Sequence, residues 1–354
     1  MNTNFAAVVG ALCAGALTAT VSCKPDSSHP SVPAPAAAGA GRDAGAASTG
    51  PVRIAMIGKS STNPVFLSAR AGAEVAAKDL SGKVSRPVEV VWLTPPQEDA
   101  QIQAQRIAQA VSEGASAVLL SCSDAARVTA AIDDAVTRGV PVMTFDSDAP
   151  GSKRFSYYGV DDKRLGHDVM TELAKLLGDR GKVAILAGNQ NAPNLRRRVE
   201  GVREAAARHP GLQIVGTFYN VETPEDSAAE VIRVGNAHPE IRGWAMLGGW
   251  ALYTKTLLRE LDPRRVKIVA VDGLPPELPY VERGLAPVLL AQSSYLWGNV
   301  GVTKIVDKIV YGREVPSTIP MDPVRVTRQN LGAWARQLRQ WGFADVPEEY
   351  LKLE

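Results

Sequence analysis

The chain has 354 residues, with 39 lysines and arginines against 37 aspartates and glutamates, so its formal net charge at pH 7 is only +2. No basic stripe or basic helix interrupts this balance, which argues against nucleic acid as a partner. The length allows for a leader followed by two modest domains.

The first 22 residues predict an export signal. An apolar stretch at 5–21 is too short to span a membrane comfortably, and Cys23 follows it at once. Small residues precede Cys23, as in a bacterial lipoprotein signal, where the cysteine is lipidated and begins the mature chain. We therefore predict a signal peptide at 1–22, lipidation of Cys23 and attachment to a membrane through that lipid. An ordinary cleaved signal and an uncleaved apolar anchor are the alternatives.

The segment after the cysteine is rich in Pro, Ala, Gly and Ser and has no apolar period. Such a composition cannot bury enough apolar surface to offset the entropy lost on ordering. We predict that residues 23–50 form a disordered tether between the anchor and the folded part.

From residue 52 onward, short apolar runs alternate with longer helical patterns. The predicted strands cover 52–58, 88–93, 117–121, 140–145, 155–160, 183–187, 214–218, 244–247, 266–271 and 287–291. The predicted helices cover 64–80, 97–113, 125–138, 164–177, 195–208, 224–237, 251–261 and 297–311. This alternation predicts parallel sheets joined by right-handed crossovers, and ten strands fit two sheets of five or six better than one.

Two of the predicted buried strands end on an aspartate, Asp146 in one case and Asp272 in the other. Ligands of open α/β sheets bind outside the carboxyl ends of the strands. Ionised carboxylates accept hydrogen bonds and donate none, so their natural partner is a ligand rich in hydroxyl groups. The alternative is that each aspartate caps the next helix or is simply solvated.

Most catalytic and cofactor motifs are absent from the sequence. Residues 58–60 look like the end of a phosphate loop, but Arg53 stands where the earlier glycine belongs. The four histidines are scattered, and Cys122 ends an apolar run typical of a buried thiol. We therefore expect no metal, no cofactor and no catalysis, although Asp146 and Asp272 would be the candidates if the chain were an enzyme.

Six short segments resemble the ribose-binding-protein family of periplasmic sugar receptors, and they occur in the family's order. The segments are IAMIGKSSTNPVF at 54–66, GVPVMTFD at 139–146, RRRVEG at 196–201, AHPEI at 237–241, VKIVAVDG at 266–273 and LLAQ at 289–292. The resemblance covers nearly the whole folded part.

This resemblance implies an α/β type I periplasmic-binding fold, in which two doubly wound parallel-sheet lobes are joined by three crossovers. The first lobe would comprise residues 52–160 and 293–321, and the second 161–292 and 322–330. Residues 331–354 would form a helical extension beyond the family core, with an amphipathic helix at 331–343 packed on a lobe.

The resemblance also implies site residues by position. Asn63 and Phe66 match sugar contacts at the start of the first helix, and Arg198 matches the arginine of the family's R-x-R-x-x-G turn. Asp146, Asp272 and Gln292 match later polar contacts. The carboxylates would accept hydrogen bonds from sugar hydroxyls, and the Arg198 guanidinium would donate two parallel hydrogen bonds. Phe66 would face the apolar side of a sugar ring. A structural salt bridge is the alternative role for Arg198.

Two departures from the family pattern concern the ligand. Where the ribose receptor has Asp followed by Arg, this chain has Asp146, Ser147 and Asp148, so Asp148 joins the candidate site. Gly248, Gly249 and Trp250 replace an Asn-Asp pair, and Trp250 is predicted to stack on the sugar, with packing between lobes as the alternative. Ribose itself is therefore not implied, while a monosaccharide is.

These features together predict a monomeric, extracytoplasmic sugar-binding protein that serves the permease and ATPase of an ABC-type importer. Closure of a hinge around the sugar would be its mechanism. A receptor that reports ligand occupancy to a kinase or chemoreceptor is the main alternative. A regulator related to the lactose repressor would need a helix-turn-helix before residue 51, and no such pattern is present.

Overall fold

The computed structural model describes residues 50–354, so the predicted signal peptide, Cys23 and all but the end of the predicted tether lie outside the described residues. The strands are β1 (Val52–Ile57), β2 (Val88–Trp92), β3 (Ala117–Leu120), β4 (Val142–Phe145), β5 (Ser156–Gly159), β6 (Gly181–Gly188), β7 (Leu212–Tyr219), β8 (Ile241–Met246), β9 (Lys267–Asp272), β10 (Val288–Ala291), β11 (Thr318–Pro320) and β12 (Val324–Val326). The helices are α1 (Pro64–Val84), α2 (Ala100–Ser112), α3 (Ala125–Thr137), α4 (Asp162–Leu177), α5 (Pro193–Ala206), α6 (Pro224–Ala237), α7 (Thr256–Glu260), α8 (Leu278–Glu282), α9 (Ser294–Ile309), α10 (Leu331–Gln340) and α11 (Glu348–Leu351).

The strands form two six-stranded sheets with matching topology. The first has the order β11-β5-β4-β3-β1-β2 and is parallel throughout. The second has the order β12-β10-β9-β8-β6-β7 and is parallel except for β12, which runs antiparallel to β10. We call the first sheet with α1–α3 and α9 the first lobe, and the second sheet with the remaining helices the second lobe. The chain passes between the lobes three times, after β5, β10 and β11.

All ten predicted strands are present, and the two that were not predicted have only three residues each. The predicted helix at 251–261 is wrong in extent, because a 3₁₀ turn at Trp250–Leu252 precedes the short α7. Between these two elements, the carbonyl oxygen of Thr254 accepts a hydrogen bond from the Tyr280 hydroxyl at 2.7 Å, so it is used in a tertiary contact and not within a helix. Helix α8 was missed because prolines crowd its sequence.

Each lobe contains a pair of helices that pack with almost no space between their backbones. In the first lobe, a Cβ atom on Gly298 of α9 would overlap the carbonyl oxygen of Ala69 in α1. In the second lobe, a Cβ atom on Gly201 of α5 would overlap the carbonyl oxygen of Lys163 in α4. Only glycine permits this approach, so the two helices of each pair pack with their backbones in direct contact.

The C-terminal segment is part of the second lobe's core. Helix α10 ends at Gln340, three residues before the predicted end, and buries Leu331, Trp334, Ala335 and Leu338 against the second sheet's outer face. Within residues 50–354, no helix combines the length and apolar character needed to cross a membrane.

Candidate functional site

Both strand-end aspartates have left-handed backbones. Asp146 directly follows β4 with φ of 55°, and Asp272 ends β9 with φ of 98°. Residues other than glycine adopt this region rarely and at a cost, so the surrounding contacts must hold it. Both side chains are nearly buried, which places two carboxylates where the two sheets' carboxyl ends meet.

The Asp146 carboxylate lies between the lobes. Its Oδ2 accepts a hydrogen bond from Ser121 Oγ at 2.7 Å, and its Oδ1 accepts one from Asn194 Nδ2 of the second lobe at 3.1 Å. The ammonium of Lys59 lies 3.6 Å from Oδ2 and also donates to Asn194 Oδ1 at 3.0 Å. Asn194 therefore joins both a cation and an anion of the opposite lobe.

The Asp272 carboxylate is bound within the second lobe. Gln292 Nε2 donates to its Oδ1 at 3.0 Å, while the backbone N–H of Gly249 and the hydroxyl of Tyr253 donate to its Oδ2 at 2.8 and 2.9 Å. Three donors on one carboxylate hold it in a single orientation.

Arg198 connects the two carboxylates. Its Nη2 donates to Gln292 Oε1 at 3.1 Å and lies 4.0 Å from Asp146 Oδ1. Its Nε donates to Asp162 at 2.8 Å, and its Nη1 donates to the carbonyl oxygen of Leu247 at 2.8 Å. A continuous set of polar contacts thus runs from Lys59 to Tyr253, and we call it the cleft network.

The charges of the cleft network compensate one another. Burial lowers the pKa of Lys59, but the negative charges of Asp146, Glu222 and Glu98 outweigh it and raise that pKa above its ordinary value. Burial likewise opposes the charge of Arg198, yet the neighbouring carboxylates raise its pKa. Burial raises the pKa of Asp162 to about 6 despite its bond to Arg198. Both cations therefore stay charged at neutral pH.

A cavity of about 820 Å³ adjoins the network between the lobes. Its walls come from the helix-start loops of the first lobe and from the ends of β6 and β7 of the second. Lys59, Ser60, Thr62, Asn63, Phe66, Gln97, Glu98, Gly188, Asn189, Gln190, Tyr219, Asn220, Val221, Glu222, Thr223 and Asp226 line it. Burial, reinforced by the charge of Glu98, raises the pKa of Glu222 to about 8. The walls combine hydroxyl, amide and carboxyl groups with two aromatic rings, a composition suited to a small hydroxylated molecule.

The structure divides the predicted site residues into two groups that adjoin each other. Asn63 and Phe66 line the cavity, where Asn63 also caps α1 by accepting from Val65 N at 3.2 Å. Asp146, Arg198, Asp272 and Gln292 form the cleft network and are all at most 5% exposed. In this arrangement the ligand-binding groups predicted from distant parts of the sequence lie within one connected region.

Two predicted site residues lie elsewhere. The Asp148 carboxylate accepts hydrogen bonds from Nε and Nη2 of Arg154, at 2.5 and 2.6 Å, and from the hydroxyl of Thr144. All three residues belong to the first lobe. Trp250 is 4% exposed, and its ring fills the space beside Gly188 and Gly248, where a Cβ atom would have no room. Because two glycines let the ring fold back onto the lobe, Trp250 packs in the core and does not line the cavity. In this structure neither residue belongs to the cleft network or to the cavity lining, and a sugar contact for either remains a prediction.

Several residues of this region were missed or left unassigned at the level of sequence. Asn194 follows Pro193 at the start of α5, as Asn63 precedes Pro64 at the start of α1, so the repeated strand-to-helix position was an available signal. The sequence drew attention to Lys59 only as part of an incomplete phosphate loop. Tyr219 and Glu222 lie at the end of β7, and no local pattern marked them.

The described part of the chain contains no cluster of three or more His, Cys, Asp or Glu side chains arranged to hold a metal ion.

A family profile described as "periplasmic binding protein domain" matches residues 54–314. Among curated proteins, the chain is 26% identical to the ribose import binding protein of Escherichia coli over 284 residues, which is 78% of this chain and 90% of that protein. It is 26% identical to the Bacillus subtilis protein of the same name over 73% of this chain and 81% of that protein.

Solved structures share the fold. A solute-binding protein of an ABC transporter from Burkholderia graminis, in complex with D-arabinose, has a TM-score of 0.74 at 25% identity, covering 80% of this chain and 97% of that one. The glucose-galactose binding protein of Geobacillus stearothermophilus has a TM-score of 0.72 at 21% identity, covering 79% and 99%. The second likeness concerns the fold alone.

Proposed function

The chain belongs to the periplasmic binding protein family, and from that membership we propose that it is an extracytoplasmic receptor that binds a monosaccharide between its lobes and delivers it to an ABC-type importer. The observation that carries this proposal is the cleft network beside a cavity lined by both lobes. The proposed role is binding without chemistry, in keeping with the names of the relatives.

The chemistry of the region supports a neutral, hydroxylated ligand. Each sugar hydroxyl donates one hydrogen bond and accepts others, and the region supplies acceptors at Asp146 and Asp272 and donors at Arg198 and Lys59. Gln292 and Asn63 supply both. Phe66 and Tyr219 provide apolar ring surface for the C–H groups of a sugar.

Hinge closure is the proposed mechanism. The bonds of Asn194 with Lys59 and Asp146 join the lobes directly, and three chain crossings connect them covalently. A sugar that exchanges its hydroxyls for some of these bonds would bridge the same groups and favour the arrangement in which the lobes are in contact. The importer's membrane permease would then distinguish this arrangement from an open one.

The ligands named for relatives guide the choice of sugars to test. Curated relatives carry the names ribose import binding protein and xylitol-binding protein, and a structural relative holds D-arabinose. We propose a pentose or another monosaccharide as the ligand of this chain. We further propose that the mature chain is a monomer attached to a membrane through lipidated Cys23, with the permease and ATPase as its protein partners.

A thermal-shift screen tests the proposed function. The purified mature chain is heated with D-ribose, D-arabinose, D-xylose, D-glucose, D-galactose and xylitol in separate samples. A sugar present at 100 times its Kd adds about 2.7 kcal/mol to the stability of the folded state, a shift that the assay resolves easily. Isothermal titration then gives the affinity. Absence of any shift across a wide panel of monosaccharides at millimolar concentration would contradict the proposal.

A further inference from the structure

Helix α10 contacts the loop that carries Asp272. Gly273 directly follows Asp272, and its carbonyl oxygen accepts a hydrogen bond from the indole N–H of Trp334 at 2.6 Å. Trp334 is buried, so this bond is shielded from water. Helix α10 lies beyond residue 314, where the match to the family profile ends.

The loop needs such support because its backbone is strained. Asp272 and Gly273 have φ of 98° and 88°, two left-handed residues in succession. A Cβ atom on Gly273 would lie 2.6 Å from the Cβ of Ala291, so only glycine fits at this position of the loop. A left-handed aspartate persists only where its surroundings hold it in place.

The supports come from opposite directions. Glu277 Oε2 accepts hydrogen bonds from the N–H groups of Gly273 and Leu274 at 2.6 and 2.5 Å, and Trp334 binds the carbonyl group of Gly273. The amide planes on both sides of Gly273 are thereby held. The plane between Asp272 and Gly273 adjoins the Cα atom of Asp272, and the plane between Gly273 and Leu274 fixes the far side of Gly273. Together they restrain the direction in which the Asp272 carboxylate leaves the backbone.

Two further rings hold Trp334 itself. Trp341 meets it edge-on, with ring centroids 5.6 Å apart at 88°. Trp341 also stacks on Tyr295 of α9 in the first lobe, with centroids 5.7 Å apart at 5°. The indole that binds Gly273 is therefore fixed by contacts that reach both lobes.

We propose that Trp334 is a positioning residue for ligand binding, which holds the Asp272 carboxylate in its binding orientation through the carbonyl group of Gly273. The C-terminal segment is then a working part of the site and more than an appendage on the second lobe. This inference rests on the proposed function for the role of Asp272 as a ligand-binding group.

The first test removes the indole N–H together with part of the indole ring. Trp334→Phe keeps a ring in the core, and Trp244→Phe is the matched control, because Trp244 is a buried ring of the same lobe that packs on Phe218. By titration with D-ribose, D-arabinose and D-xylose, we expect Trp334→Phe to bind the recognised sugar about five- to tenfold more weakly, the loss typical of one hydrogen bond. The control should stay within twofold of wild type.

A double-variant cycle separates positioning from general destabilisation. In an Asp272→Asn background, the carboxylate that Trp334 positions is already altered, so adding Trp334→Phe should cost less than a further twofold in affinity. Fully additive losses would overturn the proposal. Trp341→Leu, which removes the edge contact and leaves the Trp334 N–H in place, is a second variant should Trp334→Phe fail to fold. It should show a smaller loss than Trp334→Phe, again absent with Asp272→Asn.

Hydrogen exchange provides a measurement that requires no sugar. In Trp334→Phe the N–H groups of Gly273 and Leu274 should exchange at least tenfold faster than in wild type, and in Trp244→Phe they should not. Unchanged exchange overturns the proposal whatever the sugar data show, and so does faster exchange with wild-type affinity. If no sugar binds wild type, the proposed function fails separately, and the exchange result alone decides whether Trp334 positions the loop.

Discussion

Lys59 of the first lobe donates a hydrogen bond from Nζ to Oδ1 of Asn194 in the second lobe, at 3.0 Å. The other end of the Asn194 amide donates to Asp146, which is also the ion-pair partner of Lys59. The neutral amide of Asn194 thus bonds to both members of an ion pair. The contact between the lobes therefore depends on two charges that balance each other within the first lobe. This arrangement has measurable consequences for stability and binding.

Replacing Lys59 should weaken the contact between the lobes. Lys59→Met would leave the buried carboxylate of Asp146 without its nearer cation and with only Arg198 at 4.0 Å. Removing one partner of a buried ion pair costs about 3–5 kcal/mol. We expect a loss of that order in the free energy of unfolding by urea, with sugar affinity at least tenfold weaker. Lys78→Met, at an exposed position of α1, is the control and should change neither quantity. Equal behaviour of the two variants would contradict the role assigned to Lys59.

The two strand-end carboxylates should contribute to sugar affinity, and their neighbour should not. Asp146→Asn and Asp272→Asn are each expected to cost about 1.5–3 kcal/mol of binding free energy, the range for hydrogen bonds to charged groups. Asp148→Asn is the matched control, because its carboxylate binds Arg154 within the first lobe. Isothermal titration measures all three. If Asp148→Asn lost as much affinity as Asp146→Asn, the conclusion that only Asp146 contributes to sugar binding would be refuted.

Tyr219 should supply the aromatic contact that the sequence assigned to Trp250. Tyr219 lines the cavity and is 46% exposed, whereas Trp250 is buried. Tyr219→Ala is expected to weaken sugar binding by about 1 kcal/mol with little effect on stability. Trp250→Phe should do the reverse, lowering the melting temperature while affinity stays near that of wild type. The opposite pattern, in titration and thermal unfolding, would favour the sugar contact that the sequence predicts for Trp250.

Stability should fall as pH rises because of Glu222. Burial and the charge of Glu98 raise its pKa from 4.5 to about 8, partly offset by Lys59. Between these values the folded chain holds a proton that the unfolded chain has released, so raising the pH favours unfolding. We expect a lower free energy of unfolding at pH 8 than at pH 5. Asp162, with a pKa of about 6, adds to the trend only below that pH.

Glu222→Gln isolates this contribution. Urea unfolding at pH 5, 6, 7 and 8 should give a flatter dependence than wild type, above all between pH 6 and 8. Glu225→Gln, at an exposed position on α6, is the control and should keep the wild-type slope. Wild type and Glu222→Gln with the same slope would show that Glu222 is ionised in the folded state across this range.

Cys23 should decide where the mature chain resides. With Cys23→Ser we expect the protein to move from the membrane fraction to the soluble extracytoplasmic fraction, because a lipid chain can no longer be attached. Fractionation followed by immunoblotting measures the distribution, and mass spectrometry of the N-terminus detects the lipid. A wild-type chain that is wholly soluble and begins at another residue would contradict the anchor.

Much of the fold follows from local patterns. The β-branched runs and their turn residues predict ten strands because burial on both faces of a parallel sheet leaves a continuous apolar signature. The short strands β11 and β12 carry no such signature, and their place at the sheet edges comes from the chain's last passages between lobes. Helix α8 forms despite two prolines just before it and one within it, because its buried residues Leu278, Tyr280 and Val281 pack in the second lobe.

Composition and periodicity are enough to place Asp146 and Asp272 at the carboxyl ends of buried strands. Which polar groups meet at these two aspartates depends on the packing of the folded chain. Asp146 and Asp148 are two residues apart, yet one joins the cleft network and the other an ion pair with Arg154, because the left-handed backbone at Asp146 turns the chain between them. The bonds of Asn194 and the raised pKa of Glu222 depend on how two lobes approach each other. Local sequence does not encode that approach, because the two bonds of Asn194 join residues 48 and 135 positions apart.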